Sequence, residues 1–109
     1  LSKFKSIQPI DIHNAVLIRY PLMFNENVSL DQINAFRKEA ISHGYRFGEW
    51  FNDVVHPRGS YRYMYKEGTC KVGEWVSDRM LNLPVNAFHS LDENDLSEIE
   101  NLIRKHGIN

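Results

Sequence analysis

The stretch AVLIRYPLMFNENVSLDQINAFRKEAISHG, residues 15–44, decides the fold class. It opens with Ala15-Val16-Leu17-Ile18-Arg19-Tyr20, a β-branched and aromatic run of strand length. Pro21 has no N–H to give to a ladder, so the strand ends there, bulges there or lies on an edge. Leu22-Met23-Phe24 offers an extension of the run. Ser29 and Gln32 have the spacing of a capping box, and Val28 and Ile33 that of a hydrophobic staple. Leu30, Ile33, Phe36 and Ala40 recur at helical spacing along one face, with Ile41 at its margin. Gly44 then supplies the left-handed residue on which such a helix ends.

Downstream, Tyr45 to Val55 is aromatic and extended in character, and Gly48 marks a bulge or a close backbone approach within it. His56 to Gly68 reads as a long loop, and a loop of that length in a small domain has a function or is held by a neighbour. A second helix is expected from Thr69 as N-cap, with Val72, Trp75, Val76 and Met80 as its apolar stripe. Leu83-Pro84-Val85 reads as a short extended piece. A third helix starts near Asp92, with Leu91 and Leu96 at staple spacing and Leu96, Ile99, Leu102 and Ile103 as the buried stripe. Acids crowd its first turns and Arg104, Lys105 and His106 its last, which complements the helix dipole. Residues 1–14 read as a lead-in or connector, and 15–109 as the domain. The predicted class is α+β: a two-layer sandwich in which a small, mostly antiparallel sheet carries about three helices on one face. The other sheet face, with Trp50, Phe51 and several tyrosines available, would need a partner to cover it.

Composition narrows the function. The chain has 109 residues, room for one compact domain. Thirteen basic residues face 14 acidic ones, so nothing draws the chain to a phosphate backbone, and no nucleic acid is expected as a partner. No apolar run approaches the ~20 residues that cross a bilayer, and no charged leader precedes an apolar stretch, so neither membrane nor secretory signal is expected. Cys70 is the lone cysteine, which excludes an internal disulfide and fits a reducing, cytoplasmic setting. The chain begins with Leu, so a processed product or an excised fragment is expected.

Few constellations carry chemistry. The five histidines (His13, His43, His56, His89 and His106) show no helical metal-ligand spacing, and no metal site is expected. His43 and His106 sit at helix C-termini, where they complement the dipole or cap carbonyls. The acids from Asp92 to Glu100 lack the spacing and central glycine of a calcium loop. Cys70 opens a helix but has no evident base partner. His56-Pro57-Arg58-Gly59-Ser60-Tyr61 differs from these. It puts an imidazole, a guanidinium, a hydroxyl and a phenol on one irregular segment, a set suited to an anionic or sugar-like ligand. The same residues also suit a plain surface loop with its histidine stacked on a neighbouring ring.

Three stretches together carry a resemblance: Arg19-Tyr20-Pro21-Leu22 before the capped helix, Gly68-Thr69-Cys70-Lys71-Val72-Gly73-Glu74, and Leu81-Asn82-Leu83-Pro84-Val85-Asn86 before the closing helix. In order and spacing they resemble the C-terminal small domain of the DegT/DnrJ/StrS family of pyridoxal-phosphate sugar aminotransferases. Lys71 stands where that family usually has Pro, Gly73 near its usual Ala, and Asn86-Ala87 where it has His-Pro. The resemblance implies a longer parent, usually a homodimer. Such a parent would move an amino group from an amino acid to a keto-sugar nucleotide, in amino-sugar biosynthesis. It implies that the Schiff-base lysine and the phosphate cradle belong to an N-terminal large domain. Pyridoxal phosphate would then be the parent's cofactor, with none bound to this chain alone, and this chain would hold no catalytic residue. His56, Arg58 and Tyr61 would contact substrate at the cleft without transferring protons. The expectation from another class is a free-standing α+β ligand-binding or regulatory module without enzymatic activity.

Overall fold

The computed structural model describes residues 3–8, 20–48, 53–55, 64–83 and 91–109. Among them run five elements: β1 (Tyr20–Met23), α1 (Leu30–Ser42), α2 (Lys71–Arg79), β2 (Met80–Leu83) and α3 (Glu93–Lys105). β1 and β2 pair antiparallel, from Tyr20 opposite Leu83 to Met23 opposite Met80. The arrangement is α+β, with three helices and a small antiparallel sheet among the described residues.

The strand register explains how Pro21 sits inside a ladder. Its partner is Asn82. The Asn82 N–H donates to Gly48 O and its carbonyl accepts from Gly48 N–H, both at 2.9 Å, on the side away from β1. Pro21 and Asn82 therefore form a non-hydrogen-bonded pair, and the missing proline N–H costs this ladder nothing. β2 thus lies between β1 and Gly48. Leu81, Asn82 and Leu83 are all buried, as a strand covered on both faces and both edges requires. Gly48, expected at a bulge or close approach, supplies a single bridge to β2.

Alternation along the two strands puts Tyr20, Leu22, Leu81 and Leu83 on one face. That face meets α1, where the Phe36 ring contacts Phe24 edge-on at 6.3 Å and Phe47 at 5.2 Å. Ile33, Phe36 and Ala40 from α1 and Ile99, Leu102 and Ile103 from α3 complete the core. Truncating a ring buried as fully as Phe36 costs roughly 3–5 kcal/mol.

Local signals account for the helix starts. The Ser29 hydroxyl accepts from Gln32 N–H, and the Gln32 side chain accepts from Ser29 N–H. Val28 and Ile33 are both buried, as a staple demands. Asp92 and Asp95 form a second capping box at the start of α3. Gly44 and Gly107 take left-handed conformations just past α1 and α3.

Several expectations are corrected. β1 begins at Tyr20 among the described residues and runs through Pro21; residues 15–19 lie outside them. The N-cap of α2 is Cys70, without a side-chain cap bond. Thr69 instead closes a turn, donating N–H to Lys66 O at 3.1 Å. Met80 belongs to β2, because α2 passes into the strand with no connecting residue. Leu83 lies in β2, while Pro84 and Val85 lie outside the described residues. Leu30 and Ile41 are exposed, and Val72 is 77% exposed. No residue of α2 is buried, so its stripe is not part of this core. Trp50 and Phe51, assigned to the second sheet face, lie outside the described residues. Phe4 and Ile7, within the stretch read as a lead-in, are buried in the core.

Candidate functional site

His56, Arg58 and Tyr61, the expected substrate contacts, lie outside the described residues. The structure describes the chain on either side of them. On the near side, Val54 rests against α2. A Cβ placed on Gly73 would sit 3.1 Å from Val54 Cγ2 and 3.0 Å from Cys70 Sγ, so glycine permits this approach. On the far side, the Tyr65 hydroxyl and the Gly68 N–H both donate to Glu74 Oε1. Glu74 first, and burial second, push the Tyr65 phenol well above the usual tyrosine range. Gly68 has φ +87° at the third position of the Lys66–Thr69 turn, a conformation that favours glycine. Met64 has φ +61° and is 92% exposed. Both borders of the 56–63 segment therefore bear on adjacent residues, Gly73 and Glu74, of one helical turn.

A second polar cluster joins α1 to α3. Glu39 accepts from Lys105 Nζ and lies 2.6 Å from His106 Nε2. His43 Nδ1 lies 2.6 Å from Glu98 Oε1, and the Tyr45 hydroxyl is 2.6 Å from Glu98 Oε2 and 3.0 Å from Asp95 Oδ1. Lys105 first and His106 second hold the Glu39 carboxyl below the usual carboxylate range. Tyr45 first and His43 second do the same for Glu98. Glu98 in turn raises the Tyr45 phenol. His43 and His106 are the C-cap residues of α1 and α3, but their imidazoles bind carboxylates of the opposite helix. Sequence spacing missed these pairs, because the partners lie 55 and 67 positions away. The one local hint is the Glu39–His43 spacing on α1, where the side chains are 4.0 Å apart.

These groups engage one another, and the cluster works as a seam between helices. Among the described residues, no group of three or more His, Cys, Asp or Glu could hold a metal ion. All six lysines are exposed. Cys70 is exposed and unbridged. Among the described residues, no helix is long and apolar enough to cross a membrane. Comparison with protein-family models, curated proteins and solved structures returns no match.

Proposed function

We propose that this chain is the C-terminal small domain of a pyridoxal-phosphate-dependent, aminotransferase-like protein. Its parent, a cytoplasmic homodimer, would move an amino group from an amino acid to a keto-sugar nucleotide. One observation carries the reading. Two of the three stretches that resemble the family, Tyr20-Pro21-Leu22 and Leu81-Asn82-Leu83, pair residue by residue as β1 and β2. The third opens α2, which leads into β2 without a linker. Signals that are individually weak in sequence are thus neighbours in one α+β unit.

In this reading the chain holds no cofactor. It contributes a buttress beside the cleft, and His56, Arg58 and Tyr61 bind the substrate's anionic and hydroxylic groups. The chemistry of amino transfer belongs to the large domain. A second reading, a self-standing module without enzymatic activity, draws on the buried core shared by α1, α3 and the two strands.

The coding sequence upstream of Leu1 tests the two. The first reading expects an open frame carrying a large domain with a Schiff-base lysine, and amino transfer by the whole product. A stop codon immediately upstream supports the second. An internal-aldimine absorbance band on the isolated chain after addition of pyridoxal phosphate would contradict the first.

A further inference from the structure

We draw no further inference here: the strongest candidate, the exposed face of α2 around Val72, carries nothing, because nothing among the described residues shows what covers it.

Discussion

Gln32 shows how much one side chain can decide. Its Oε1 accepts from Ser29 N–H at 2.9 Å and completes the capping box of α1, while its Nε2 donates to His106 O at 3.1 Å, past the end of α3. A glutamate would satisfy the first role and fail the second, setting a negative charge against a carbonyl. Gln32→Glu should cost about 1 kcal/mol in a urea-denaturation series; no change would mean that the bridge to α3 adds nothing. The carboxylates of the seam set the pH response. Their partners hold Glu39, Glu98 and, beside Lys3, Glu100 below the usual glutamate range in the folded state. Such groups contribute stability that is fully present above the unfolded value and is lost as pH falls through the folded one. The melting temperature, followed by circular dichroism, should therefore decline below about pH 4.5. The double variant E39Q/E98Q should melt lower near neutral pH and show a flatter acid limb.

The helices differ in what holds them. α1 and α3 are each fixed twice, by a capping box at the start and by buried Ile, Leu, Phe or Ala along one face. α2 has neither a side-chain cap nor a buried residue. Among its ties are those of Glu74 to Tyr65 and Gly68 and those of Arg79 near its C-terminal end. Arg79 donates to Asn25 O at 2.8 Å and Val28 O at 2.6 Å, with its guanidinium 5.3 Å from the centre of the Trp75 ring. Val72, exposed on α2, is therefore open to substitution within this chain. Val72→Asp should change the unfolding free energy by no more than ~0.5 kcal/mol. Ile99→Asp, at a fully buried site on α3, should prevent stable folding. A large loss of stability in V72D would place Val72 in a contact that its exposure denies.

At the scale of the whole molecule, the two ends of the chain close the core together. Phe4 and Ile7 are buried, Lys3 pairs with Glu100, and the Arg104 guanidinium lies 4.7 Å from the Phe4 ring centre. Gln8 N–H donates to Met23 O at 2.9 Å and Asn25 N–H to Ser6 O at 2.8 Å, so the opening segment also finishes the edge of β1. Deleting residues 1–8 withdraws two apolar side chains worth about 1.5–3 kcal/mol each. It also strands backbone groups of Met23 and Asn25. Against a total stability of about 5–15 kcal/mol for a domain, the truncated chain should show a sharply lowered denaturant midpoint or no cooperative transition. An unchanged midpoint would assign these residues to a connector after all.

α1 with its box and staple, and the start of α3, were legible in the chain because each depends on residues no more than five positions apart; the α+β class was legible from the succession of strand-like and helical stretches. Ser29 finds Gln32, and Asp92 finds Asp95, whatever the rest of the molecule does. Only the tertiary structure decided that Met80 opens a strand, that Val72 faces water, that Pro21 meets Asn82 in a non-hydrogen-bonded pair, and that His43 and His106 bind carboxylates across a helix seam. It also brought Val54 and Tyr65 onto one turn of α2. Each of these depends on a partner that chain closure delivers from elsewhere. A periodic stripe reports that a face is apolar, but not whether anything arrives to cover it.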